Sequence, residues 1–476
     1  MSQTAAKEAH ETVDVKTIVD DLVAGARTAM RAFDDADQAR VDEAVTALAW
    51  AIYEPGRAEE LARLAVEDTG LGNAPDKIVK NQRKTFGALR DLLRAKTVGI
   101  LEEDKARGIV KYAKPVGVVG AVTPSTNPAA TPVNKAMMAV KGRNAVIIAP
   151  SPSGWATTNK TVQYMRAELE KIGLPADLVQ ILPKPVTKEM TQALMKAVDL
   201  VVVTGSQNNV RDAYSSGTPA IGVGAGNVPV IVDATADLDD AAEKICASKI
   251  FDNATSCSSE NSVTILDDVY DEGIRALERA GGYRATAEEC KRIERTLWTE
   301  GKLNRHLIAR GAEAIAQAAK LPEAAAKAKF IMVEDEGVGP DHPFSGEKLS
   351  LVLTVYRAAD FAAAKEQVRE ILSYQGAGHS VGIHTADADH ARELAEDLDV
   401  VRVLVNQAHT FGNGGSFTNG LEFTLSMGCG TWAGNSISEN LNWRHFINTT
   451  HLVTEIPEDK PSEEELFGDH WRRYGK

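Results

Sequence analysis

The chain has 476 residues, enough for two or three domains with sizeable cores. Its 43% apolar and 25% charged residues are those of an ordinary soluble globular protein. A formal charge of 53 − 67 = −14 argues against a duplex nucleic-acid partner, because neutralising phosphates needs clustered Lys and Arg.

The opening stretch MSQTAAKEAHETVDVK has no apolar run of a secretory leader and is not Arg-rich like a transit peptide. Nowhere do eighteen apolar residues run together, so no membrane span is expected. From about 15 to 95 the pattern predicts three amphipathic helices. VKTIVDDLVAGARTAMRAF sets Ile18, Leu22, Val23 and Ala26 on one stripe, and RVDEAVTALAWAIY repeats it. GNAPDK (72–77) breaks the pattern before a third helix through LRDLL.

GIVKYAKPVGVVGAVTPS then reads as extended chain. Strands and helices alternate from there: NAVIIAP, a helix through TVQYMRAELEKIG, LVQILPK, a helix through TKEMTQALMKAV, DLVVVTGS and VPVIVD. Alternation of this kind implies a parallel sheet covered on both faces. A second series begins after Cys257: SVTILDD, helices around 284–328, SLVLTVYRA, a helix through DFAAAKEQVREIL, HSVGIHT and VRVLVN. The charged tail 455–476 predicts an extension over the surface or a neighbouring subunit. With no repeat and no low-complexity linker, the two α/β halves should be packed together.

Chemistry-bearing residues sit at the turns. IGVGAGNVP fails the dinucleotide fingerprint, since Asn227 stands where the last glycine is needed and the cluster precedes a strand. TGS (204–206) follows an apolar strand and opens QNNVRDAYSSG, so its free N–H groups suit a phosphate; an ordinary capped turn reads the same way. The four cysteines form no CxxC and point to reduced thiols in a cytoplasmic setting, and the histidines show no metal-ligand spacing. Cys246 falls on a core face of its helix, Cys290 lies in a polar helix and Cys429 between two glycines. Only Cys257, in FDNATSCSSENSV, has a polar, turn-prone setting in which a thiolate could form and be reached. TPSTNPAATPV presents Asn127 before a proline. A carboxamide there makes a neutral oxyanion donor, although Pro, Ser and Asn also simply make turns.

Taken in order, PVGVVGAVTPSTNP, KGRNAVIIAPSP, VVTGS, GVGAGNVPVIVD, Cys257 and GEKLS resemble the aldehyde dehydrogenase family. AYSSGTPAIGVGAGNVP, SKIFDN and CGTWAGNSISENLNWRHFIN resemble its CoA-acylating branch. The resemblance covers about residues 15–450. It implies an α/β fold with a Rossmann-type NAD(P)-binding domain over 1–223, which carries an oligomerisation hairpin at 98–115. A catalytic domain over 224–425 and a return segment with a C-terminal oligomerisation extension over 426–476 complete it. It implies Cys257 as nucleophile, with Asn127 and the Cys257 backbone N–H as oxyanion donors. It implies dinucleotide contacts at Thr123, Pro124, Ser125, Ala149, Pro150, Ser151, Thr204, Gly205, Ser206, Gly222, Val223, Gly224 and Glu347, and no metal. A homodimer or homotetramer follows from it, as do an aldehyde and coenzyme A as the small-molecule partners.

Two departures from the family pattern shape the functional expectation. Hydrolytic members carry a glutamate in E-L-G-G-K as general base. Here that position falls on Gly222 or Val223, and neither can take a proton, which favours transfer to a thiol over water. The family's K-P-S-E is here A-P-S-P, with no acid in the motif to reject a 2′-phosphate. Ser151, Ser153 and Thr157 could donate to one, so NAD and NADP both stay open. His379 could assist CoA deprotonation or hold two strands together, the latter favoured. The expected substrate is a short-chain aldehyde, acetaldehyde or sulfoacetaldehyde. The alternatives are a hydrolytic enzyme releasing the free acid and a catalytically silent scaffold or shell-associated protein.

Overall fold

The structure, a computed structural model, describes residues 14–476; the first 13, where no secretory run was expected, lie outside it. Four helices open the described chain: α1 (Val15–Phe33), α2 (Gln38–Tyr53), α3 (Pro55–Thr69) and α4 (Ala74–Leu93). The pattern had missed α3. Pro55 takes its first position, where no N–H is needed, and the Glu54 carboxylate accepts from the N–H groups of Gly56 (3.1 Å) and Arg57 (2.8 Å). An antiparallel pair follows, β1 (Ile100–Asp104) and β2 (Ile109–Pro115).

The first parallel sheet is built from β3 (Val118–Thr123), β4 (Ala145–Pro150), β5 (Val179–Ile181), β6 (Leu200–Val203) and β7 (Ala220–Gly222), in the order β5-β4-β3-β6-β7. Its connecting helices are α5 (Ala130–Lys141), α6 (Trp155–Lys171), α7 (Lys188–Ala197) and α8 (Gln207–Tyr214). β3 and β4 are buried at every position, as continuous apolar runs in a doubly covered sheet must be. One core joins this sheet to the N-terminal helices through Phe33, Leu48, Ile52, Ile147 and Val201.

VPVIVD forms β8 (Val228–Val232) and opens a second sheet instead of extending the first, because 223–227 crosses over without a helix. This sheet continues through α9 (Leu238–Ile250), β9 (Glu260–Leu266), α10 (Tyr270–Ala280), β10 (Gly282–Arg284) and α11 (Ala287–Leu297). A two-residue ribbon, β11 (Trp298–Thr299) with β12 (Lys302–Leu303), interrupts what the pattern read as helices alone. After α12 (Ala312–Ala318) and α13 (Glu323–Lys327) comes β13 (Phe330–Glu334), an unanticipated strand. Then follow β14 (Val352–Ala358), α14 (Phe361–Tyr374), β15 (Val381–His384), α15 (Ala388–Asp397) and β16 (Val403–Val405). The seven strands are all parallel, in the order β10-β13-β14-β9-β8-β15-β16.

After the short α16 (His409–Gly412) the chain returns to the first core, where Phe423, Leu441 and Phe446 are buried. The Phe423 ring lies so close over α4 that a Cβ on Gly87 would stand 2.4 Å from it. β17 (Ile447–Val453) then pairs antiparallel with β2 along its whole length, giving a three-stranded sheet ordered β1-β2-β17. The final helix, α17 (Glu463–Tyr474), is exposed throughout except near Gly468 and Trp471. No helix among the described residues is long and apolar enough to cross a membrane.

Candidate active site

Cys257 is reached through a strained turn. After α9, Asp252, Asn253 and Ala254 all take left-handed backbone angles (φ 51°, 53° and 59°), which costs about 1–2 kcal/mol per non-glycine residue. Asp252 holds the turn. Its fully buried carboxylate accepts from Lys77 Nζ (3.0 Å), Lys80 Nζ (2.5 Å), Thr255 Oγ1 (2.8 Å) and the Asn73 N–H (2.9 Å). Burial raises its pKa, but Lys80 and Lys77 outweigh that and hold it below the usual carboxylate range. The break expected at 72–77 meets this turn directly: a Cβ on Gly72 would stand 1.9 Å from Asp252 Oδ1.

The polarity around Cys257 is internal. Thr255, Ser258 and Ser259 are buried, and Ser258 Oγ accepts from Asn413 Nδ2 at 2.9 Å. The expectation of an easily formed thiolate is corrected accordingly. Burial first, then the charges of Glu347 and Cys429, push the Cys257 thiol up to about 12, with Arg402 pulling the other way. Gly226 packs directly on the nucleophile; a Cβ there would stand 2.3 Å from the Cys257 carbonyl oxygen and 2.4 Å from its Cβ.

Two cavities flank the Cys257 loop, and Ser256 lines both. The larger, with about 460 Å³ of atom-free space, holds Asn127, Ser256, Ser258, Lys80, Arg83 and Lys84 among its walls. Asn127 Oδ1 is buried without a partner and its Nδ2 lies 3.5 Å from Thr126 Oγ1, the outer limit of a hydrogen bond, so the amide is available as a donor. The smaller, about 200 Å³, brings Cys257 and Glu347 together with Gly226, Asn227, Lys249 and Asn261. Backbone bonds aim the Glu347 segment: Glu347 N–H donates to Gln375 Oε1 (3.0 Å) and Lys348 N–H to Asn261 Oδ1 (3.1 Å). Burial pushes the Glu347 carboxyl up to about 8, against the pull of Lys348 and Lys249.

The other dinucleotide residues named by the sequence line one sheet edge. Thr123 pairs with Pro150, Val122 with Val203 and Val203 with Gly222, so the turns after β3, β4, β6 and β7 open side by side at the C-terminal ends of parallel strands. Pro124 and Ser125 continue from Thr123, whose Oγ1 is buried without a partner. Ala149 and Pro150 end β4, and the Ser151 N–H donates to the Thr123 carbonyl (3.1 Å). Ser206 caps α8, accepting from the Asn209 N–H (3.3 Å), and a Cβ on Gly205 would meet nothing closer than 4.0 Å. Open turns, a helix start capped at the Asn209 N–H alone and an orphaned hydroxyl fit a dinucleotide. The Thr204 hydroxyl is engaged with Ser426, and the Gly222 N–H donates to Tyr214 Oη (2.9 Å). Gly222 and Val223 offer no base: a Cβ at 222 would stand 2.5 Å from Val210, and the buried Val223 gives only its carbonyl, to Gln207. Gly224 packs against Cys429.

Sequence reasoning missed several groups. Thr157, expected as a free donor, is buried, and its N–H (3.0 Å) and hydroxyl (3.2 Å) both donate to Asp68 Oδ2. An acid therefore stands at the start of α6 after all, supplied by α3. Arg83 and Lys84 were passed over, although KIVKNQRK, 77–84, crowds four cations into eight residues. Arg402 is buried and donates to the carbonyls of His379 and Gly428, both at 2.9 Å. His379 is itself buried, bonded to Ser380 Oγ at 2.7 Å, and kept neutral by burial and by Arg402 and His409. Cys246 is buried in the second core as expected.

Residues 6–282 match the aldehyde dehydrogenase family. The chain is 55% identical over 456 residues to sulfoacetaldehyde dehydrogenase (acylating) of Cupriavidus necator, covering 96% of this chain and 92% of the relative. An acetylating aldehyde dehydrogenase from Geobacillus thermoglucosidasius superposes with a TM-score of 0.90 at 33% identity, covering 94% of this chain and 98% of that one. A propionaldehyde dehydrogenase from Rhodopseudomonas palustris, solved with bound CoA and an acylated cysteine, gives 0.80 at 25% identity, covering 92% and 97%. With the Cys257 loop between two cavities and no base at 222–223, the chain belongs to the aldehyde dehydrogenase family and, within it, to the CoA-acylating branch.

Proposed function

We propose that this chain converts sulfoacetaldehyde, coenzyme A and an oxidised nicotinamide dinucleotide to sulfoacetyl-CoA. The observation that carries the reading is the position of the Cys257 loop between the cavity of Asn127 and a cavity whose one carboxyl is the buried Glu347, with no base at 222–223. The substrate rests on the 55% identity to the Cupriavidus necator enzyme.

Cys257 gives its thiol proton to Lys249, which lines the same cavity and is pushed down to about 7 by burial, and Sγ adds to the aldehyde carbon while Asn127 Nδ2 and the Cys257 N–H hold the oxyanion. Thr123–Ser125, Ala149–Ser151, Thr204–Ser206, Gly222–Gly224 and Glu347 would hold the dinucleotide, which would supply the hydride acceptor for the Cys257 adduct. That leaves a thioester on Cys257, which the CoA thiol attacks, restoring the cysteine. Water competes poorly because no base stands at 222–223, Glu347 is mostly protonated near pH 7 and Lys249 carries the thiol proton. The second reading, hydrolysis, is favoured only where Glu347 ionises. We also propose self-association as a homodimer or homotetramer through the β1-β2-β17 sheet, supported by its exposed Leu452 and Val453; light scattering reads that mass.

The test is dinucleotide reduction by an aldehyde panel with and without CoA. Sulfoacetaldehyde should give the highest kcat/KM, with turnover dependent on CoA and absent in Cys257→Ala. Equal rates without CoA would end the acyl-transfer reading, and a better neutral aldehyde would end the substrate reading.

A further inference from the structure

The larger cavity carries a feature that aldehyde oxidation alone does not call for. Arg83 and Lys84, on α4, enter it from the side opposite in sequence to the nucleophile loop, and no Asp or Glu among the described residues lies within ion-pair distance of either. Arg83 Nη2 donates to Ser416 Oγ (3.2 Å), but Nη1 is buried with no partner. Lys84 Nζ donates to the Gly414 carbonyl (2.8 Å) and has further protons to give. The Thr410 hydroxyl on the same wall is also buried without a partner. Three rings fix the guanidinium, with Phe411, Phe423 and Phe417 centred 5.3, 5.6 and 5.7 Å away. Lys80, the third cation of the wall, is already matched by Asp252.

Unfilled donors fixed in a cavity suit an anion with several oxygens. The same cavity contains Asn127 and the Ser256 and Ser258 neighbours of Cys257. In sulfoacetaldehyde one methylene separates the carbonyl from the sulfonate. The cavity that receives the carbonyl must therefore receive the sulfonate as well.

We propose that Arg83, with Lys84 and the Thr410 hydroxyl, forms the subsite that binds the substrate's sulfonate and sets selectivity for an anionic aldehyde over a neutral one. This deepens the substrate reading above and rests on it. A neutral aldehyde leaves the buried Arg83 and Thr410 groups unpaired, the situation in which polar sites discriminate most strongly.

The experiment uses two unreactive probes of one shape, ethanesulfonate and the neutral ethanesulfonamide, as inhibitors of propionaldehyde oxidation. In the wild type, ethanesulfonate should compete with the aldehyde at least tenfold more tightly than ethanesulfonamide. In Arg83→Met that preference should fall below twofold. The ratio of kcat/KM for sulfoacetaldehyde to that for propionaldehyde should drop at least 30-fold, with Arg83→Lys recovering part of it. Equal inhibition by both probes in the wild type overturns the subsite, whatever the variants do, and so does a ratio within threefold of wild type in Arg83→Met. A wild type that prefers ethanesulfonate but does not oxidise sulfoacetaldehyde ends the substrate reading and leaves the anion subsite standing. Turnover of sulfoacetaldehyde without a probe preference does the reverse.

Discussion

The two cavities beside Cys257 differ in what stands beside their buried charges. In the smaller, burial pushes Glu347 up to about 8 and Lys249 down to about 7, and each pulls the other back toward its charged form. In the larger, burial likewise pushes Lys84 down to about 7 and lowers Arg83, but no carboxylate faces either, and an incoming anion can supply the missing charge. One cavity thus sets a buried acid against a buried base, and the other holds buried cations that an incoming anion can match. The difference is one of pairing, since burial opposes charge in both.

The largest effect should come from breaking the partition itself. Gly226→Ala puts a methyl 2.3 Å from the Cys257 carbonyl and 2.4 Å from its Cβ, so the nucleophile must move by about 1 Å between the cavities. A loss of about 100-fold in kcat/KM is expected, with circular dichroism unchanged. Near-normal turnover would show that Cys257 is not held by this contact.

Much of this arrangement was legible in the sequence, and for a physical reason. NAVIIAP and DLVVV are buried on both faces, so the strands showed as unbroken apolar runs, and α3 escaped only because Pro55 and Glu54 replace the usual Ser or Asp start. Cys257 and Asn127 stood out because turns expose chemistry that helices hide. Arg83 and Lys84 did not, since periodicity assigns charges to solvent until residues 410–427 fold back against α4. Asp68 meets Thr157 across 89 residues, a contact no local motif encodes. The raised Cys257 thiol likewise depends first on burial and then on Glu347 and Cys429, from two distant segments.

The silent acid can be made to speak by pH. A carboxyl raised to about 8 is protonated at pH 6.5 and mostly ionised at pH 9, so only at the higher pH can it take a proton from water. With p-nitrophenyl acetate and no dinucleotide or CoA, the steady rate that follows the burst of p-nitrophenolate reads deacylation. At pH 9 the wild type should deacylate about tenfold faster than Glu347→Gln, and at pH 6.5 the two should coincide. Tenfold is below the hundredfold of a well-aimed base, because Gln375 and Asn261 fix the segment by its backbone. Equal rates at pH 9 would place any water-activating base elsewhere.

The smallest expected effect lies at the far end of the dinucleotide edge. Asp68 accepts from the Thr157 N–H at the start of α6, close in chain to the hydroxyls of the half-buried Ser151 and the exposed Ser153, which pair at 3.2 Å. A carboxylate there repels a 2′-phosphate more than a 2′-hydroxyl, by about 1 kcal/mol at solvent-screened distances, which is about fivefold. Asp68→Asn keeps an oxygen to accept from Thr157 while removing the charge. The ratio of kcat/KM with NADP to that with NAD should therefore rise about fivefold, and more at low ionic strength than at high. A ratio unchanged at both salt concentrations would mean that Asp68 only caps the helix, and that the serine hydroxyls alone govern which dinucleotide the edge accepts.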